Sequence, residues 1–366
     1  MAKAQNVTKV NRTVAVVGAG GAGLAIAGYM SLNEYIVHLY DPEPHRTEQL
    51  VSMGGIALEG WAKGLGRLAD ITSDPSRALR GVSLVILTVP ATQIGATLQK
   101  LMPHLGPVQF VVSVPGLLGA GFEIAETLKK NGLENIAAGE LSHIPLKYKL
   151  LAGAQVLTIG PNGLTTFATL PANRTSDLGE ILLPAFPWLK AAPNILYCGL
   201  GNPEPLFYAT LTILNSTRIE QGGGFNLWNS LTPGALNLLE MVDRERVSVA
   251  TALGVQVIPA FKYYQSLYWS EGSKLSEVLA SSAEYLATEA PNSLDHPFFA
   301  EYIPCYMVPL YTLGERCGVA PFGVDALIRL ASTLGRSDLR RKGRNMESMG
   351  LTGKNLAAIK KMLAEV

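Results

Sequence analysis

Residues 13–30 read TVAVVGAGGAGLAIAGYM, and this stretch decides the fold. It opens with a short β-branched run whose consecutive apolar residues suit a strand buried on both faces of a parallel sheet. Glycines follow, then a helix of small residues. Gly18, Ala19, Gly20, Gly21, Ala22 and Gly23 form a GxGxxG placed directly after the strand and at the start of the helix. Gly18 permits the tight turn, Gly20 lets backbone approach a pyrophosphate, and Gly23 lets helix and strand pack closely. The helix N-terminus offers free N–H groups and its positive dipole end to the phosphates. Asp41 ends the next apolar run, YIVHLYD, where the acid that binds the ribose hydroxyls belongs in such a fingerprint. The expected ligand is therefore a nicotinamide dinucleotide. A carboxylate at Asp41 repels a 2′-phosphate and favours NAD, while Arg46 just beyond it keeps NADP open.

Working outward, VSLVILTVP and VQFVVSVPG are two further strands, ending in the turns Thr88-Val89-Pro90 and Pro115-Gly116. Both turns fall on the carboxyl edge of the sheet, where ligands bind in open α/β folds. Helical patterns alternate with the strands, which implies βαβ units and a parallel sheet. AQVLTIGP and LTTFATLPA read as a later antiparallel pair around Pro161-Asn162-Gly163. From about Asn194 the apolar spacing turns helical, in ALNLLEMVDRERVSVATALG, VLASSAEYLA, VPLYTLGERCG and VDALIRLASTLG. The chain is thus expected to be an α/β protein, with a Rossmann domain over residues 1–190 and an all-helical domain over 191–366. The segment PAFPWLKAAPN serves as the linker.

Composition narrows the function. The chain has 366 residues, 48% of them hydrophobic and 16% charged, enough for a large core. Its formal net charge of +1 gives no basic excess for nucleic acid. The basic run around Arg340 reads as a solvated helix face. No apolar run reaches the roughly 18 residues of a membrane span. Three widely spaced cysteines form neither a metal pattern nor a disulfide framework, so no metal is expected and a reducing compartment is. With no apolar segment ahead of the first strand, the expected location is the cytoplasm, with small-molecule partners and a homodimer as one option for assembly.

The ordered segments VVSVPGLLGAGFE, GELSHIPLKYK, ATLPA, GNPEPLFYATLTILNSTRIE, LLEMVDRERVSVATALGV, MVPLYTLGERCGVAPFGVDALI and GRNMESMGLTGKNL follow the fingerprint. Together they resemble the octopine/opine dehydrogenase family over most of the chain. The resemblance implies a Rossmann domain followed by a helical domain, and NAD(P)H-dependent reduction of the imine formed from an amino acid's amine and a 2-oxo acid. Family members carry a His-Pro pair seven and six residues before the asparagine matching Asn215, and the histidine is the acid/base. Here those positions are Tyr208 and Ala209. The family's partner aspartate matches Tyr302, beside Glu301, and an arginine that holds the oxo-acid carboxylate matches Pro297, beside His296. Glu140 matches a glutamate near the amine substrate, Lys149 stands where an arginine is common, and Asn202 and Asn215 are kept.

Three polar groups of the family are thus replaced, and the proton carrier has to be sought among what remains. Tyr208, by register, is the first candidate, although an unperturbed phenol titrates near pH 10. His143, in a segment expected to face the cleft, is the second. Asn202, Asn215 and Glu301 complete the catalytic set, with Glu140, Lys149, Tyr302 and His296 for substrate. Asp243 and Arg246, three apart on a helix, read as a structural ion pair. The aromatic run FKYYQSLYW, residues 261–269, reads as core, subunit interface or substrate wall. Two other functions stay open: a reductase of another C=O or C=N compound, and a cofactor-binding protein without catalysis.

Overall fold

The computed structural model describes residues 11–106, 108–151, 154–222, 224–282 and 288–364. Residues 283–287 of the helical pattern over 278–287, and Gly223 of the triple glycine, lie outside them. The described residues form twelve strands: β1 (Thr13–Val17), β2 (Ile36–Tyr40), β3 (Ile56–Gly60), β4 (Gly64–Gly66), β5 (Asp70–Thr72), β6 (Leu84–Leu87), β7 (Phe110–Ser113), β8 (Ala137–Leu141), β9 (Leu146–Leu150), β10 (Gln155–Pro161), β11 (Thr166–Leu170) and β12 (Lys190–Ala191). Eight form one sheet in the order β12-β11-β8-β7-β6-β1-β2-β5. The four runs read from sequence, now β1, β2, β6 and β7, pair in parallel at its centre. Apart from exposed Ile36 and half-buried Thr13 and His38, their side chains are buried on both faces, as consecutive apolar residues require.

The other four strands make a second sheet, β4-β3-β10-β9. Helix α1 (Gly21–Leu32) lies between the two sheets and buries Gly23 through Met30 without a break. A helix covered on every side has no polar face, which explains its uniformly small, apolar sequence. The second sheet also corrects the expected hairpin of AQVLTIGP and LTTFATLPA. β10 pairs with β9 and β3, whereas β11 pairs with β8 and β12. Asn162, at the supposed turn, bonds instead to the β8–β9 connection, donating its backbone N–H to Pro145 O and its amide to Ile144 O. The chain crosses there from one sheet to the other.

After β12 the elements are helical. The helix Glu204–Leu214 packs in one apolar core with the 21-residue helix Pro233–Leu253 and the helices Val308–Arg316 and Phe322–Leu334. That core also takes in Leu117, Leu118, Phe122 and Ala168, so the helices are seated on the carboxyl end of the parallel sheet. Two buried arginines fix the arrangement. Arg246 pairs with Asp243, donates to Leu200 O and Ile258 O, and is fully buried, while Asp243 also accepts from the Ala260 N–H. Arg344 donates to Gly116 O, Leu118 O and Cys305 O and pairs with Glu123 at 2.7 Å.

Candidate active site

The glycine turn joins β1 to α1 at one end of a groove of about 720 Å³. Gly18 has φ +111° and donates its N–H to Tyr40 O. A Cβ at Gly20 would meet no atom within 4 Å, so this backbone faces the open groove, whereas a Cβ at Gly23 would lie 1.8 Å from Gly18 O. The first turn of α1 holds no acidic residue and no side chain caps it, so its N–H groups are free to take phosphates. Asp41 accepts from the N–H groups of Ala19 at 2.8 Å and Glu43 at 3.0 Å, and Arg46 stands 3.6 Å from its Oδ2. Ala19 thus orients the acid. Gly18, Gly20, Gly21, Ala22, Asp41, Arg46, Thr88, Val89, Pro90 and Pro115 line the groove, with Lys100, which the sequence reading missed. An open backbone turn with free N–H groups, followed by an oriented carboxylate, fits a dinucleotide.

The groove runs on past Pro115, Ile144, Tyr148, Phe298 and Tyr302 into a second chamber of about 540 Å³. Tyr148 leans over the glycine turn, its ring 2.8 Å from where a Cβ of Gly21 would be. Tyr208 faces the chamber with its ring stacked on Phe298 at 4.4 Å and edge-on to Trp228 at 5.4 Å. Tyr302 is beside them, its phenol held protonated by burial and by the negative charges of Glu204 and Glu301. His296 caps the short helix Pro297–Ala300 and lines the groove, its basicity lowered by burial. Glu301 also lines the groove and accepts from the Ala91 N–H at 2.8 Å, tying the helical half to the turn after β6. Of the aromatic run, Tyr263, Leu267 and Tyr268 form chamber wall.

On the far wall, His143 is fixed on both nitrogens. Nδ1 is 2.8 Å from Ser142 Oγ and Nε2 is 2.8 Å from the Tyr263 hydroxyl. Burial pushes its pKa down to about 4, so the ring is neutral near pH 7. Asn202 donates to Ser142 O and accepts from the Glu204 N–H, tying the His143 loop to the helix Glu204–Leu214. The Glu204 carboxylate lies 3.7 Å from His143 Nε2. Glu204 was missed from sequence; the signal was its place four residues before Tyr208, on the same helix face.

Four expected site residues are placed elsewhere. Asn215 ends the helix Glu204–Leu214 and donates to Leu211 O, about 10 Å along the helix from Tyr208. Lys149 is exposed on β9, and Lys147, nearer the start of that strand, lines the chamber instead. Glu140 is fully buried and accepts from the Gly121 N–H at the start of the helix Ala120–Lys130. Burial pushes its pKa up to about 7, and its Oε1 has no partner. Gly116 packs against it; a Cβ there would lie 2.5 Å from that of Glu140. Among the described residues no group of three or more His, Cys, Asp or Glu is placed to hold a metal, and no helix is long and apolar enough to cross a membrane.

A groove of this kind opening into a second chamber suits an NAD(P)-dependent dehydrogenase, and comparison with known proteins shows which enzymes the chain is like. Residues 191–334 match the family described as NAD/NADP octopine/nopaline dehydrogenase, alpha-helical domain, and residues 14–142 match ketopantoate reductase PanE/ApbA. An opine dehydrogenase of Arthrobacter sp. (strain 1C) is 28% identical over 96% of this chain and 98% of its own. The solved structure of octopine dehydrogenase with NADH and L-arginine superimposes with a TM-score of 0.78 at 17% identity, covering 97% of this chain and 98% of the other. Yersinopine dehydrogenase with NADP+ gives 0.72 at 13% identity over 96% and 98%. The chain is thus similar to opine dehydrogenases over nearly its whole length, and it is an NAD(P)-dependent dehydrogenase acting on a CH–NH group.

Proposed function

We propose that this protein reduces the imine formed between an amine, such as that of an amino acid, and a 2-oxo acid, with residues 1–190 serving the cofactor and 191–366 the substrates. The observation that carries this reading is the continuity of groove and chamber across Pro115, Tyr148, Phe298 and Tyr302, which puts a second binding space at the end of the dinucleotide site. When bound, the dinucleotide supplies the hydride. The glycine turn and the N-terminus of α1 hold its phosphates and Asp41 its adenosine ribose, which supports NAD over NADP. The rings of Tyr208, Phe298 and Tyr302 exclude water from the chamber. Tyr208, Tyr302 and Pro297 stand at the positions that the resemblance gives to the family's histidine, aspartate and arginine, so a small oxo acid such as pyruvate, lacking a bidentate arginine, binds weakly.

The test is NADH oxidation with panels of 2-oxo acids and amines, supplied singly and together. Turnover that needs both components supports the reading. Turnover on the oxo acid alone makes the protein a ketone reductase. Tight cofactor binding with no turnover on any combination makes it a binding protein.

A further inference from the structure

Imine formation needs a group that borrows a proton. The amine arrives as an ammonium ion and must lose a proton to attack, and the carbonyl oxygen must gain one to leave as water. In the resembled family a histidine–aspartate pair is available for this, and here both positions are tyrosines. We propose that Glu204 and His143 form a relocated acid–base pair for the condensation, with Glu204 as the catalytic residue and His143 as the positioning residue behind it. This rests on the imine-reductase reading above.

Among the described residues that line the chamber, Glu204 is the one carboxylate and His143 the one imidazole. Their separation, 3.7 Å from Oε2 to Nε2, is that of an ion pair when the ring is charged and of a loose polar contact when it is neutral. The Glu204 side chain is 26% exposed and that of His143 is 9%, so the carboxylate meets the substrate and the ring lies behind it. Both are held from outside the pair. Asn202 fixes the start of Glu204's helix to the His143 loop, and the hydroxyls of Ser142 and Tyr263 fix the ring. Tyr263 stays a neutral phenol, because burial first and the Glu204 charge next oppose its ionisation.

The surroundings favour the transfer. An ammonium brought against Glu204 among the rings of Tyr208, Tyr263, Tyr268 and Tyr302 loses water, as does the carboxylate. Moving the proton from nitrogen to carboxylate neutralises both, and desolvation favours the neutral forms. The free amine then attacks the carbonyl carbon. A C–N bond forms, the oxygen takes up the amine proton as hydroxyl, and the proton held by Glu204 returns to that hydroxyl. The C–O bond breaks, water leaves, and the protonated imine remains. One proton is borrowed and one returned, and nothing is oxidised or reduced in this step.

The experiment compares two substrates in the full-length protein. One is an amine with a 2-oxo acid. The other is a preformed cyclic imine carboxylate, which needs no condensation. Glu204→Gln is expected to lower turnover on the two-component substrate by roughly a hundredfold or more. It should leave reduction of the cyclic imine and NADH affinity little changed, and Glu204→Asp should recover part of the loss. An equal fall on both substrates would assign Glu204 to the later step or to the fold and overturn the proposal. Full two-component turnover in Glu204→Gln would also overturn it. A wild type inactive on both substrates would remove the imine reading itself, and this proposal with it.

Discussion

In the cofactor groove the working surface is backbone: N–H groups at the start of α1, and a glycine with nothing within 4 Å of its Cβ position. In the chamber it is side chains brought from five distant segments, around Pro115, His143, Glu204, Tyr263 and Phe298. The difference explains what each region tolerates. A groove defined by missing side chains is closed by almost any replacement. A chamber walled by side chains can exchange a charged residue for an aromatic one of similar bulk, keep its shape and change its chemistry. The dinucleotide end carries an intact fingerprint, while the substrate end has Tyr208 and Tyr302 at the positions where the resemblance implies a histidine and an aspartate.

The sharpest way to break this contrast is to remove the scaffold of one region alone. Arg246 is buried among the helices that carry the chamber and bonds to Asp243, Leu200 and Ile258. Arg246→Met strands the Asp243 carboxylate and the Leu200 and Ile258 carbonyls, and should cost about 3–5 kcal/mol in urea unfolding. If NADH binding under native conditions falls as steeply as stability, the regions are not separable.

Glu140 lies between them. Its pKa of about 7 in the folded protein, against an ordinary 4.5, means that folding retains a proton which the unfolded chain releases. This contribution is complete below about pH 4.5, fades as pH rises and is gone above about pH 7. It amounts to ~3 kcal/mol. The unpartnered Oε1 is the place for that proton. Between pH 5 and 8 the wild type should lose stability relative to Glu140→Gln, because the opposite contribution of the His143 ring, whose pKa is lowered to about 4, is common to both; parallel slopes of the unfolding midpoints would show that Glu140 ionises normally.

Asp41→Ala probes the groove where a side chain does matter. NADH should bind about tenfold more weakly, about 1.4 kcal/mol, and NADPH should lose less. A wild type that already prefers NADPH tenfold would hand control to Arg46.

Tyr208→Phe has the smallest expected effect, because it keeps the ring stacked on Phe298 and removes only the hydroxyl. Turnover should fall by less than about tenfold. A loss of a hundredfold or more, the scale of general acid catalysis, would make Tyr208 the proton donor.

What could be read from sequence follows the same division. The glycine turn, Asp41 and the central strands are local patterns, and the structure has them in register. The Asp243–Arg246 pair was legible because its members are one helical turn apart. Glu204 was not, because its partner His143 belongs to a loop that only the tertiary fold brings alongside. Lys149 was named and Lys147 missed because resemblance to a family ignores where along a strand the chamber begins. The supposed hairpin failed because β10 and β11, though consecutive, satisfy their backbone groups in different sheets. Tyr148 lies in the segment GELSHIPLKYK, which gave it no role of its own; only the closeness of β9 to α1 places it at the junction.

Arg344 gives the molecule an order of assembly. It grips the loop after β7 and the helical segment at Cys305 at once. On the ribosome, the glycine turn and the central strands emerge long before it and can fold as a unit. The wall at the end of the groove, set by the turn at Pro115 and by Phe298 and Tyr302, is fastened only when residue 344 has been made. A nascent chain halted before that point would hold a finished cofactor turn beside an unlatched substrate chamber.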